Sequence, residues 1–426
     1  MAAMVAGIVI GAGIFRIPTD VARLVPSEPL ILSLWLAGAV IALAGAATYS
    51  ALARVAGDLG GEYRFLALGF GPAVATLFVW ARMTVIQTGS IAAVAFVAGE
   101  HAARLVPLPP ALLALLAVAG VTVLNWSGLV VSARLQRGLV VAVVLALAGL
   151  VALGLAMPAA HAPPAAPTVP PTPGAVGLAL VFVMLAYGGW NEAAYLAGET
   201  QRGARTLAWG LAGGLLLVAA LYLGFNAAAL HALGVAGLAA TPTPAVALTD
   251  AAGGAGAGVA VLVLLAALST LNVTVLTGAR AMCALGRDHP AFRALGAWDQ
   301  ARAVPRASLL VQAAIALALV GLGWCARDGF EAMVAFTAPV FWLFLALVGL
   351  VPFRRPELAR SRPAAGLFAV ACLGMAASAV DHARGLALAH ETAGWMGLAG
   401  LGCVALGLPV SRWRWRAGAG SGRARP

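Results

Sequence analysis

Apolar residues run along this chain in blocks of about twenty, separated by short segments carrying Arg, Pro, Gly or acids. A helix of that length crosses the hydrocarbon core of a bilayer. The blocks predict about twelve spans, at 2–24, 30–53, 72–100, 110–127, 138–157, 175–197, 207–229, 258–280, 307–325, 331–353, 364–380 and 389–410. With 62% hydrophobic residues, 10% charged and a mean hydropathy of +0.97, no sizeable soluble domain fits between them. An all-α, polytopic membrane protein is the expected fold class.

Two spans carry interruptions. In the first, glycines stand at 7, 11 and 13 of Gly7-Ile8-Val9-Ile10-Gly11-Ala12-Gly13-Ile14-Phe15. Glycine costs about 1 kcal/mol against Ala inside a helix and leaves helical backbone cheaply. In lipid, broken backbone is tolerated only where it lines a cavity or is buried in protein. Small residues four apart also favour close helix packing, so a packing role stays open. Ala186-Tyr187-Gly188-Gly189-Trp190-Asn191 interrupts another apolar run, Ala175 to Leu196. Gly11 and Gly188 are 177 residues apart, enough for five spans each. Two Gly-interrupted segments at matching places in two halves point to a transporter binding site.

Charge then orients the chain. All 26 basic residues are Arg, and the net charge is +11. With the N-terminus in the cytoplasm, 20 of the 26 fall on the cytoplasmic side. Arg104, Arg327 and Arg384 fall at outer loops, and Arg16, Arg23 and Arg82 in or near spans. Nucleic acid is therefore not needed to explain the basic charge. Arg412-Trp413-Arg414-Trp415-Arg416 reads as an interfacial anchor. The N-terminus lacks the positive region of a signal peptide, and a short cytoplasmic tail could precede it. Cys283, Cys325, Cys372 and Cys403 are scattered, and the six His are dispersed, so neither a disulfide framework nor a metal centre is indicated. No cofactor is expected. Pro158 to Pro173 is a stiff outer loop; Thr241-Pro-Thr-Pro with the Gly/Ala run 251–258 is a second.

At this point the motifs resemble a family. Gly7 through Pro18 is similar to the first-helix signature of amino-acid permeases of the amino acid–polyamine–organocation (APC) superfamily. Gly57-Asp-Leu-Gly60-Gly61-Glu62-Tyr63 with Phe70-Gly71-Pro72 resembles the loop between helices two and three. Tyr187-Gly-Gly-Trp-Asn191 with Glu199 resembles the sixth-helix signature. Arg280 to Pro290 resembles the loop after helix eight, and Arg354-Arg-Pro-Glu357 the loop after helix ten. The closest resemblance is to the L-type and Ser/Thr-exchanger branch. It implies the leucine-transporter fold: a 5+5 inverted repeat, with helices one and six broken and two extra C-terminal helices. The expected division is 1–157 for the first repeat, 158–174 for the Pro-rich loop and 175–353 for the second repeat. Helices eleven and twelve then take 354–410, and a basic cytoplasmic tail 411–426.

The resemblance also implies amino-acid substrates, moved by exchange or proton coupling. The substrate carboxylate should sit on amides at the Gly11-Ala12-Gly13 break, where a half-helix begins. Its ammonium should meet unwound carbonyls near Ile8, Ile10, Ala186 and Tyr187. The expected substrate-binding residues are Ile10, Gly11, Ala12, Gly13, Ile14, Ala186, Tyr187, Gly188 and Trp190, although for Trp190 packing is the favoured role. The family often carries Ser where Ala12 stands. Gating or coupling candidates are Arg82, Glu192, Glu199, Ser269 and Thr270. Glu192 could pair with Arg82, bind a cationic substrate or carry a proton; Glu199 could join an inner gate. Arg16 could be an outer-gate cation or simply interfacial. Many relatives carry a Lys in helix five that stands in for sodium; that position falls near Val143 or Val144. Ser269 and Thr270 could bind sodium, though Ser and Thr in membrane helices more often bond their own backbone. Exchange without an ion is the simplest expectation, with proton coupling ahead of sodium. The expected partners are a neutral amino acid and the lipid bilayer, at the cell inner (plasma) membrane with both termini cytoplasmic. Rival readings are a transporter of polyamines or other organic amines, and a non-transporting sensor of the same fold. An enzyme is not expected, since no nucleophile–base pair or metal-ligand spacing converges.

Overall fold

The apolar blocks become helices in a computed structural model that describes residues 9–56, 61–128, 133–160, 170–191, 203–254, 256–288, 290–300 and 302–412. A 3-10 turn, Ala12–Phe15, leads into α1 (Ile17–Leu24), followed by α2 (Glu28–Ala56) and α3 (Gly61–Phe70). Next come α4 (Pro72–Ala81), a π-helical turn Arg82–Ile86, α5 (Gln87–Ala102), α6 (Pro110–Trp126), α7 (Ala133–Ala156) and α8 (Pro173–Ala186). The chain continues as α9 (Gly203–Ala240), α10 (Pro244–Ala251), α11 (Gly256–Asp288), α12 (Arg306–Trp324) and α13 (Gly329–Leu350). It closes with α14 (Arg362–Leu388), α15 (Thr392–Leu406) and α16 (Leu408–Arg412).

Local chemistry sets several boundaries. Pro72, Pro110, Pro173 and Pro244 each open a helix, where the missing N–H is no loss. Thr172 caps α8 by accepting from the Ala175 amide at 3.2 Å, and Asp328 caps α13 through the Glu331 amide at 3.1 Å. Gly234, at φ 66°, kinks α9.

Among the described residues, nine helical segments are long and apolar enough to cross a membrane; α6 and α8, with 17 and 14 residues, are shorter. This is a multi-pass membrane architecture. Large apolar side chains such as Val370 and Leu145 face outward, as lipid requires. Some expected boundaries were too short: α9 reaches Ala240, α11 reaches Asp288 and α14 reaches Leu388. Apolar blocks under-report helices whose ends project past the hydrocarbon. The expected outer loop after Thr241 is also corrected. It contains α10, whose Pro244, Ala245, Val246 and Leu248 are buried, so a short amphipathic cover replaces open loop.

α5 packs against α6, α11, α12 and α13 and so lies inside the bundle. The Ala12–Phe15 turn touches α5, α8 and α11. Glycines permit the closest crossings. A Cβ on Gly99 of α5 would lie 2.2 Å from the Pro110 carbonyl oxygen of α6, and one on Gly400 of α15 2.3 Å from the Phe336 oxygen of α13. Backbone cannot yield as a side chain can. Gly99→Val should therefore push α6 off α5 and destabilise the protein by about 1–3 kcal/mol. Thermal unfolding of the purified protein in detergent checks this, and an unchanged midpoint would contradict it.

Candidate functional site

Both predicted interruptions are present. Val9 is helical, Ile10 has no regular structure, Gly11 is extended, and the 3-10 turn follows. The Gly11 amide bonds Val9 O at 2.8 Å, leaving the amides of Ala12 and Gly13 at the start of the turn, where N–H groups have no partner within a helix. α8 ends at Ala186, and Tyr187, Gly188 and Gly189 form a turn with Gly189 at φ 96°. The breaks face each other: a Cβ on Gly13 would stand 3.6 Å from Ala186 Cα.

One hydroxyl spans them. Tyr222 of α9 reaches Val9 O at 3.3 Å and Ala186 O at 3.4 Å, one donor shared by two carbonyls at the two breaks. Tyr222 is fully buried, with Trp35 at 5.7 Å and Tyr187 at 5.3 Å between ring centroids. On the other side, the bare face of Gly11 looks at Thr270 of α11, 3.7 Å from a Cβ placed there.

The predicted site residues separate on this geometry. Ile10, Gly11, Ala12, Gly13, Ile14, Ala186 and Gly188 form the two breaks; Ile10, Ala12, Ile14 and Ala186 are buried. Gly11 has φ −107° and ψ −169°, open to any residue, so its glycine supplies space and no special backbone. Gly189 is where the backbone itself demands glycine. Tyr187 turns toward α2: its hydroxyl donates to Trp35 O at 3.1 Å, and its ring fills the place a Cβ on Gly38 would take. Trp190 is corrected to a packing residue. It is 2% exposed, stacked edge-on with Tyr49 at 5.0 Å and Phe368 at 5.8 Å, over Gly45. Thr270 comes to the first break and donates to Ala266 O at 3.0 Å; Ser269, next to it, is half-buried. Val143, one of the two positions near which the helix-five Lys was expected, is buried in α7. Glu192 and Glu199 lie outside the described residues.

An ionic cluster stands at each end of the site. At one, Arg16 is fully buried and not interfacial. Its Nη1 donates to Asp20 Oδ1 at 2.8 Å and its Nε to Glu100 Oε1 at 3.2 Å, while Nη2 donates to Asp328 Oδ2. The guanidinium also lies 5.3 Å from the Phe330 ring centre. Burial alone would raise the Asp328 carboxyl, in the loop before α13. Arg16, the Glu331 amide and Arg23 outweigh that and hold it below the ordinary carboxylate range. Thr19 and Arg23 of α1 tie this end to the carbonyls of Thr241 and Ala239, at 2.5 and 2.9 Å.

At the other end, Arg82 sits in the π-helical turn, 3.5 Å from Glu62 of α3. Glu62 is 1% exposed and also receives Asn191 Nδ2 at 3.0 Å and Tyr49 OH at 3.4 Å. Arg82 thus has Glu62 as an acidic partner; the suggested pairing with Glu192 lies outside the described residues. A cleft beside it, bordered by Arg82, Gln87, Gly278 and Gln312, includes no residue of either break.

Sequence reasoning missed Tyr222, Asp20, Glu100 and Asp328 as site neighbours. Asp20 was findable: it stands four residues after Arg16, the spacing at which helical side chains pair. Tyr222 carried no signal, being one hydroxyl in an apolar run.

The amino acid permease family pattern matches residues 1–383. The b(0,+)-type amino acid transporter 1 of Mus musculus is 26% identical over 381 residues, covering 84% of this chain and 76% of that protein. The serine/threonine exchanger SteT of Bacillus subtilis is 27% identical over 233 residues, 54% of this chain and 53% of that protein. The human cystine/glutamate transporter is 29% identical over 140 residues, 31% and 28% of the two chains.

Two substitutions separate conformation from space. Gly189→Ala should destabilise the protein by about 1–2 kcal/mol, the cost of left-handed backbone for an L-residue. Gly11→Ala should stay within about 0.5 kcal/mol of the parent. Tyr222→Phe removes the shared donor from two buried carbonyls and should cost about 1–3 kcal/mol. Unfolding midpoints of the three purified variants check the order.

Proposed function

The chain belongs to the amino acid permease family, and on that premise we propose a secondary transporter that moves neutral amino acids across a membrane by alternating access. The carrying observation is the convergence of two broken helices: Gly13 abuts Ala186, and Tyr222 reaches a carbonyl at each break. A zwitterion needs donors for its carboxylate and acceptors for its ammonium, because either charge buried alone costs several kcal/mol. The amides of Ala12 and Gly13 supply the first, and Ile10 and the turn after Ala186 supply carbonyls for the second. No charged side chain stands at positions 9–15 or 184–191, so the peptide dipoles carry the recognition.

On this reading the two ionic clusters are the gates. Arg16 with Glu100 and Asp328 ties α1 to α5 and to the loop before α13, and Glu62 ties α3 to Arg82 and Asn191. Opening one end requires its cluster to part while the other stays closed. The positive-inside bias supports the Arg16 end facing outward and the Glu62 end facing the cytoplasm, in a cell membrane. The 5+5 inverted repeat, with α14 and α15 outside it, belongs to the same reading. The one relative above named as an exchanger, the apolar Val143 and the back-bonded Thr270 support exchange without sodium.

A proteoliposome screen over all amino acids, with and without sodium and a pH gradient, tests this. Counterflow of a labelled neutral amino acid that ignores sodium is expected, and none for any amino acid or amine would overturn the reading. Gly11→Val puts two methyl groups into the space before Thr270. It should lower counterflow at least about tenfold, ~1.4 kcal/mol of binding, in protein that still unfolds cooperatively. Normal uptake would remove the break from the binding site.

A further inference from the structure

The Arg16 cluster holds more acid than base. Asp20, Glu100 and Asp328 all contact one fully buried guanidinium. Arg23 adds a second positive charge, 3.7 Å from Asp20 and 3.4 Å from Asp328. With every acid ionised, three negative charges face two positive ones.

The surroundings do not supply the difference. On α13, Glu331 is bonded to His382 of α14 at 3.2 Å. Beyond α5, Arg104 pairs with Asp250 at 3.0 Å. His101 of α5 is fully buried and bonds Val97 O through Nδ1 at 2.9 Å; its Nε2 has no partner, so a second proton there would be a buried donor without an acceptor. α8 carries no ionisable side chain, and the Arg16 end of α9 carries His231, held on Met157 O at 3.0 Å. An uncompensated buried charge costs several kcal/mol, and a carboxylate avoids that cost by taking a proton.

Two carboxylate oxygens of the cluster are buried with no hydrogen-bond donor, Glu100 Oε2 and Asp20 Oδ2, and they differ in how close the guanidinium comes. Asp328 is bonded to Arg16 and to the Glu331 amide, with Arg23 at 3.4 Å, and stays ionised. Glu100 lies across Arg16 Nε with oxygens at 3.2 and 3.1 Å. Asp20 is 5% exposed; its Oδ1 accepts from Arg16, while its Oδ2 is buried with no donor.

We propose that Asp20 Oδ2 binds one proton when the Arg16 end is closed. Closing takes the proton from the solution on that side, and opening returns it to the same solution. The proposal rests on the alternating-access reading. The proton cancels the excess charge and turns a bare acceptor into a hydroxyl. Because one side both gives and receives it, the proton sets how readily the end closes and does not drive accumulation. An acidic medium on that side speeds exchange, and a pH gradient alone concentrates nothing.

Two measurements on the full chain test this. In detergent, a closed native state with one proton more than the unfolded chain loses stability as pH rises. The wild-type unfolding midpoint should therefore fall between about pH 5.5 and 8, where unfolded carboxylates are already ionised. Asp20→Asn or Glu100→Gln, each removing one negative charge without changing shape, should flatten that fall, while Glu331→Gln should keep it. In proteoliposomes, exchange should rise up to about tenfold per unit of falling pH on the Arg16 side, the limit for one proton. Asp20→Asn should lose the slope. A flat wild-type profile in both measurements, or a full slope retained by Asp20→Asn, overturns the proposal. Should the wild type exchange nothing at any pH, the transport reading falls instead, and the unfolding titration still decides where the proton sits.

Discussion

Inside a bilayer an unpaired peptide group has no water to turn to, and that constraint organises this molecule. At Ile10-Gly11 and at Tyr187-Gly188-Gly189 the chain leaves helical geometry and exposes carbonyls and amides. The protein meets the cost by bringing the two stops together, with Gly13 against Ala186, and by aiming Tyr222 at a carbonyl of each. The Trp35–Tyr187–Tyr222 aromatic group closes the back of the site. What remains is a set of peptide dipoles, which the proposed transport reading assigns to a zwitterion.

The same economy governs the charges. Few ionisable groups lie within the bundle, and the buried ones gather in two places. Arg16 and Glu62 are each nearly sealed from solvent, and each collects several polar partners from separate helices. Such contacts are strong while closed and costly to break singly, since a departing partner leaves a charge behind. The Arg16 end carries one acid too many, which makes it responsive to protons.

Glycine does three different jobs in this fold. At Gly99 and Gly400 it lets helix backbones touch. At Gly189 it allows a backbone that other residues resist. At Gly11 neither holds, and the missing side chain leaves open space beside Thr270. Reading all three as helix breakers would have misassigned two of them.

The sequence by itself determined that this is a multi-pass membrane protein, and it marked the two glycine-interrupted segments. Those follow from local quantities: block length, glycine in mid-span, and motifs of contiguous residues. It also determined Arg16 and Arg82 as charges needing an explanation. Only the tertiary structure decided their partners, because Glu100 and Asp328 lie 84 and 312 residues from Arg16 and no periodicity connects them. It decided that Trp190 packs and that Tyr222 serves the breaks, since an aromatic in an apolar run has the same pattern whichever way it faces. Helix rotation selects the neighbour of each side chain, and rotation is set by packing between distant segments.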